Sequence, residues 1–226
     1  LFRSLKIIIF VIFCLITVGI YGYNFVQNNN RQKATQLQAK TNTQVSKTEI
    51  KSANPTVLSA SQLKQKKLED KCETGHQAFN NKKYSEAIKI ENIVLAEDAN
   101  FYKAYNIKGI ALSFSNNYQE GMKNINKALS IKPDFGYARF NKALCYELYG
   151  HYDEAISWYH QSLDVEKFVW SYYGIASIYG RRGDVEETCK YLKIAIDMEP
   201  DVKATARTEE DFNNVKKSTK FQALLQ

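Results

Sequence analysis

Cysteine and histidine are scarce in this chain, compact catalytic signatures are missing, and each shortage removes a class of protein. The 226 residues include four cysteines, Cys14, Cys72, Cys145 and Cys189, and no two form a CxxC pair. A disulfide scaffold is short and cysteine-dense, and this chain is neither. Cys145 and Cys189 are expected as small buried hydrophobes on helices. There is no glycine-rich phosphate loop, no GxSxG and no HExxH. The three histidines are His76, His151 and His160. Cys72 and His76 are four residues apart, a helical spacing that permits a metal pair or a nucleophile with its base. Two ligands do not make a site, and no second pair lies nearby. The acidic runs Glu186-Glu187 and Glu209-Glu210-Asp211 are read as solvated faces. The expectation is therefore no enzyme, no cofactor, no metal and no small-molecule substrate.

Acid is nearly absent from the first 67 residues, which hold ten Lys or Arg and only Glu49. The remainder holds 21 bases and 23 acids, so the formal charge of +7 belongs to the N-terminal arm. A nucleic-acid reader carries its basic stripe on the folded module, so nucleic acid is not expected as a partner. Within that arm, residues 7–26 read IIIFVIFCLITVGIYGYNFV. About 20 uncharged residues suffice for a helix to cross a bilayer core. Arg3 and Lys6 precede the run, and Tyr21 and Tyr23 sit near its far end, where rings favour the interface. A single transmembrane anchor over 1–26 is the first reading. A signal sequence is the rival, with an apolar core at Ile7–Ile16 and a small-x-small cut site at Thr17-Val18-Gly19. Arg31, Lys33 and Lys40 nearly balance Arg3 and Lys6, so the positive-inside rule leaves topology open. The short basic N-terminal flank favours an extracytoplasmic or periplasmic side for the rest; three unpaired cysteines argue the other way. Residues 27–60 are polar and basic, without aromatics, and are read as a disordered, flexible linker.

Residues 61–200 repeat. At a shift of 34, Gly75, Gly109 and Ala143 fall in register, with Ala176 one residue short of the next. Further columns are Tyr84, Tyr118, Tyr152 and Val185; Ala87, Gly121, Ala155 and Thr188; Val94, Ala128, Ser162 and Ala195; and Ala99, Pro133, Lys167 and Pro200. Small residues let two antiparallel helices approach closely. The polar stretches NNKK, SNN, YGH and RRGD mark the turn before each tyrosine or valine. Apolar residues recur at helical spacing on both sides, as in Ile156, Tyr159 and Leu163. Proline closing a unit suits a helix stop or a helix first turn. The missing residue falls between Lys167 and Ala176, in a connection.

These columns resemble the tetratricopeptide repeat, a helix-turn-helix unit of 34 residues. The best stretches are KAYNIKGIALSFSNNYQEGMKNINKALSIKPD (103–134) and YARFNKALCYELYGHYDEAISWYHQSL (137–163). The resemblance implies an all-α solenoid of about four units, near 68–101, 102–135, 136–168 and 169–202. A C-terminal capping segment, 201–226, would follow, with Thr208 as helix N-cap and Phe212, Val215, Phe221 and Leu224 covering the last hairpin. That ending is similar to those of many bacterial arrays with an N-terminal anchor. Lys108 and Lys142 depart from the family's usual Leu, and Gly121 from its usual Ala. Residues 61–226 are expected to fold alone.

In this family the first helix of each unit lines a concave groove that holds a peptide or a partner's helix. The equivalent positions here are His76 and Phe79; Asn106, Ile110, Ser113 and Phe114; Tyr137, Phe140, Asn141, Leu144 and Glu147; and Trp170, Tyr173 and Ser177. Aromatic anchors are the usual hot spots of recognition, Phe140 and Trp170 foremost here, although such rings also pack between units. The carboxylate-gripping positions of the family's co-chaperones correspond to Cys72, His76, Ile107, Tyr137 and Asn141, and none is a cation. Two functions fit. One is a membrane-tethered, single-pass module that binds a protein or peptide in its groove. The other is a permanent subunit of an envelope assembly for secretion, pili or outer-membrane construction.

Overall fold

The computed structural model describes residues 59–226, so the expected anchor and residues 27–58 of the expected linker lie outside the described residues. The described part is helical, without strands. Eight helices form four hairpins: α1 (Ala60–Asn80) with α2 (Tyr84–Glu97), α3 (Tyr102–Phe114) with α4 (Tyr118–Ile131), α5 (Gly136–Leu148) with α6 (Tyr152–Leu163), and α7 (Val169–Arg182) with α8 (Val185–Met198). A short α9 (Val202–Thr208), a 3-10 turn (Glu210–Phe212) and α10 (Thr219–Leu225) follow. No described helix is long and apolar enough to cross a membrane.

The two last linker residues already belong to the array. Ser59 N-caps α1 through a capping box: its hydroxyl accepts from Gln62 N at 3.2 Å, and Gln62 Oε1 accepts from Ser59 N at 2.9 Å. Asp184 caps α8 in the same sense, accepting from Glu187 N at 3.0 Å.

Each hairpin turns the same way. Lys82, Asn116, Gly150 and Gly183 all have positive φ, at 63°, 66°, 82° and 77°. In each turn the next residue's N–H reaches back to a carbonyl five residues earlier, Lys83 to Ala78, Asn117 to Leu112, His151 to Tyr146 and Asp184 to Tyr179. This is the helix stop that a left-handed residue permits. Glycine supplies it freely; Lys82 and Asn116 adopt it against the steric cost of a Cβ.

Small residues then set the spacing within hairpins. A Cβ on Gly109 would lie 2.8 Å from Gly121 O, and one on Gly121 would lie 2.2 Å from Ser113 Oγ. Gly121 thus replaces the usual alanine because no room remains for a methyl. The tyrosine column has a different task, reaching the next unit. Tyr84 meets Phe114 at 5.6 Å, Tyr118 meets Tyr149 at 4.7 Å, and Tyr152 lies under the Arg181 guanidinium at 5.8 Å. Lys142, in its leucine position, sets its ammonium over the Trp158 ring at 3.8 Å. Pro133 and Pro200 sit in the connections, after the helix stop. The missing residue does not shorten a connection: α6 has 12 residues where α4 and α8 have 14, and it absorbs the loss.

Successive hairpins stack so that α1 approaches α3, α3 approaches α5 and α5 approaches α7 more closely than α2, α4, α6 and α8 approach one another. The odd helices therefore form the inner, concave row. At the C-terminus, Phe212, Val215, Phe221 and Leu225 are buried, with Leu225 taking the place expected of Leu224. Thr208 is not an N-cap. It ends α9, donating its hydroxyl to Thr205 O, and Ser218 caps the last helix instead.

Candidate partner-binding groove

The residues expected to line the groove all lie on the inner row or at its ends, but most are not presented. Phe79, Asn106, Ile110, Phe114, Phe140, Asn141, Leu144, Trp170 and Tyr173 are buried; only His76 and Tyr137 are partly exposed. Phe140 and Trp170, singled out as anchors, are 3% and 6% exposed. The reason is ring packing within and between the hairpins. Phe79 meets Phe114 at 5.5 Å, Phe140 meets Tyr159 at 5.7 Å and Phe168 at 4.9 Å, and Trp170 meets Tyr173 at 5.3 Å. These rings hold the units together.

What the concave face does present centres on Tyr137. Its hydroxyl lies 3.2 Å from His76 Nε2, which joins α1 to α5 past the intervening α3. His76 Nδ1 faces Glu73 Oε2 at 3.7 Å. The Lys103 ammonium pairs with Glu69 at 2.7 Å, linking α3 to α1. Asn141 donates to Asn106 Oδ1 at 3.1 Å, and both side chains are fully buried. Asn106 Nδ2 and Asn141 Oδ1 keep no partner among the described residues. Around Tyr137 stand three more half-buried rings. Phe168 lies at 6.4 Å and Phe135 at 6.3 Å, and Phe135 meets Tyr102 edge-on at 4.9 Å. Two of these were open to detection: Phe101, Phe135 and Phe168 form a column of their own at shifts of 34 and 33, each just before an inner helix.

Cys72 and His76 do not act together. Cys72 is buried; burial, and then the neighbouring Glu91, push its thiol far up, which denies it a thiolate. His76 turns outward to Tyr137. Glu91 is fully buried on α2, where burial pushes its carboxyl up to about 8. The register had concealed this residue's oddity: its equivalents are Ile125, Tyr159 and Leu192, all buried.

The far end of the concave row is occupied by the chain itself. Asp211 and Glu209, read from sequence as solvated, are buried against α7. Asp211 pairs with Arg181 at 2.6 Å and shares Ser177 Oγ with Glu147, at 3.0 and 2.9 Å. Tyr159 donates to Glu147 Oε2 at 2.6 Å. Burial, reinforced by the Asp211 charge, pushes both Glu147 and Glu209 up to about 7. Glu147 and Ser177 were expected to line an open groove; they lie under this turn instead. Their residue types alone could not reveal a cover that arrives from 34 residues further along.

A tetratricopeptide-repeat family model matches residues 102–135 and 171–202. In Methanocaldococcus jannaschii, the TPR repeat-containing protein MJ1428 is 30% identical over 120 residues, which is 50% of this chain and 20% of that protein's length. From the same organism, the protein MJ0572 is 35% identical over 72 residues, 31% of this chain and 84% of that protein. Among solved structures, TTC0263, a thermophilic TPR protein from Thermus thermophilus, superposes with a TM-score of 0.57 at 15% identity, covering 68% of this chain and 86% of that one.

Proposed function

We propose that this chain, which carries tetratricopeptide repeats, is a membrane-tethered interaction module that holds a protein or peptide on its concave face. The observation that carries the reading is the half-exposed Tyr137, bonded to His76 and ringed by Phe135 and Phe168. An aromatic side chain with a polar tip, set in a concave wall, is the usual form of a binding hot spot. Residues 7–26 are the proposed anchor, 27–58 the tether, and 201–226 the cap of the array. We place the array on the periplasmic or extracytoplasmic side. No catalysis, small-molecule substrate or nucleic acid enters this reading.

The test is crosslinking and capture from native membranes with the full chain, beside a His76→Ala/Tyr137→Ala variant. One partner captured by the wild type and lost with the variant supports a groove-binding module. The same stable set of neighbours with both chains refutes it and favours a permanent subunit of an envelope assembly.

A further inference from the structure

We propose that the turn Glu209–Phe212, with α10 behind it, is a pH-sensitive strap, closed over the end of α7 in acid and released as the pH rises. The proposal stands on how the strap is held, whether or not the groove takes a partner.

A serine hydroxyl has one proton, yet Ser177 Oγ lies 2.9 Å from Glu147 Oε1 and 3.0 Å from Asp211 Oδ2. It donates to one carboxylate and must accept from the other, so one of the two acids carries a proton. The surroundings decide which. Burial pushes the Asp211 carboxyl up, but Arg181 paired with its Oδ1 opposes that push and makes Asp211 the readier of the two acids to ionise. Glu147 is deep in the protein and receives only the Tyr159 hydroxyl besides. The satisfied arrangement is therefore a chain: Tyr159 donates to Glu147, protonated Glu147 to Ser177, and Ser177 to Asp211. The other groups facing the cluster are Glu209 and Glu210 of the strap and the Tyr173 phenol of α7. Arg181 is the cation that acts on it.

Loss of the Glu147 proton leaves two carboxylates on one hydroxyl, with Glu209 close behind and one guanidinium between them. Glu147 is fixed at the end of α5, so relief comes from the strap. The strap is otherwise seated by Phe212, which packs on Tyr173 at 5.7 Å and fills the notch left by Gly180, where a Cβ would lie 2.6 Å from its ring. Asn214 Nδ2 ties it to Arg181 O at 2.7 Å. Burial, which the strap completes, and the Asp211 charge it brings push the Glu147 carboxyl up to about 7, so the folded, closed form holds a proton that opening releases, and closure weakens as the pH climbs through 7. Each proton so linked makes closure up to roughly ten-fold weaker at pH 8 than at pH 6.

Hydrogen exchange on the full chain, corrected for intrinsic rates, tests this. Amides of residues 209–225 should lose about ten-fold in protection from pH 6 to pH 8, independently of added urea below ~1 M, the mark of local opening. Glu147→Gln should reduce the pH dependence to the part that the strap's own Glu209 carries, and Glu147→Gln/Glu209→Gln should remove it; Asp211→Asn, from the other side of Ser177, should also reduce it and decides if the first variant does not fold. Equal protection at both pH values would overturn the proposal. So would a loss that grows with urea alongside the α3 amides, or one undiminished in the folded variants.

Discussion

Glu91 is the place where one substitution should make the protein both more stable and less sensitive to pH. Its carboxyl is fully buried between α1 and α2 and has no ordinary hydrogen-bond partner among the described residues; the nearby Cys72 thiol is a weak donor. Burial raises it from 4.5 to about 8, so the folded chain keeps this proton where the unfolded chain has lost it. The folded state binds more protons, and stability therefore falls as pH rises. The contribution is intact below 4.5, declines up to about 8 and is flat beyond. At about 1.4 kcal/mol per pH unit, that interval costs roughly 5 kcal/mol. Glu91→Ile installs the residue that unit two carries at the same register, opposite the same glycine column. The variant should gain roughly 3–5 kcal/mol at pH 8 and little at pH 4. Urea unfolding of residues 59–226 at pH 4, 6 and 8 measures it. The gain should widen steadily with pH, moving the midpoint by more than ~1 M at pH 8. A gain of equal size at all three pH values would refute the reasoning, since it would mean better packing and no buried ionisation.

Four further outcomes are expected. Residues 59–226 should fold alone as a helical monomer, because α1 carries its own capping box; a far-UV circular dichroism spectrum without helix would contradict this. Gly150→Ala should destabilise by about 1 kcal/mol and Lys82→Gly should stabilise by a similar amount, because both positions need positive φ; thermal melts of the two variants decide it. Phe140→Ala should cost about 3–5 kcal/mol of stability, since the ring is buried between units. Tyr137→Phe, which removes only the hydroxyl bonded to His76, should melt within ~1 kcal/mol of the wild type.

The hairpins were legible because each unit solves the same packing problem with the same kinds of residue. Gly109 faces Gly121, and Tyr118 reaches Tyr149, so close approach and turn both leave a mark every 34 residues. The left-handed turn position left none that residue type alone discloses. Lys82 and Asn116 stand where Gly150 and Gly183 stand, and only the backbone shows that the four are equivalent.

The groove was less legible, for a physical reason. A large aromatic residue at a groove position is consistent with presenting a hot spot and with sealing the joint between two units, and the pattern is the same in both cases. Phe140 is buried against Tyr159 and Phe168, and Trp170 against Tyr173. Tyr137 stays half-exposed because its partner, His76, lies two units away across the concave face, a contact of 61 residues' separation that no local pattern encodes. Glu209 and Asp211 misled for the converse reason, while Glu210 between them is exposed as read. Charge in a short polar stretch ordinarily signals solvent, yet Arg181, Ser177 and a protonated Glu147 together make a buried seat for Asp211. What sets this array apart from its repeat is thus concentrated where its residues break register with their neighbours: Glu91 among apolar equivalents, and Glu147 beneath a turn that comes after the last hairpin. Both are buried acids that keep a proton near neutral pH, so departures from the repeat and departures from ordinary ionisation fall on the same residues.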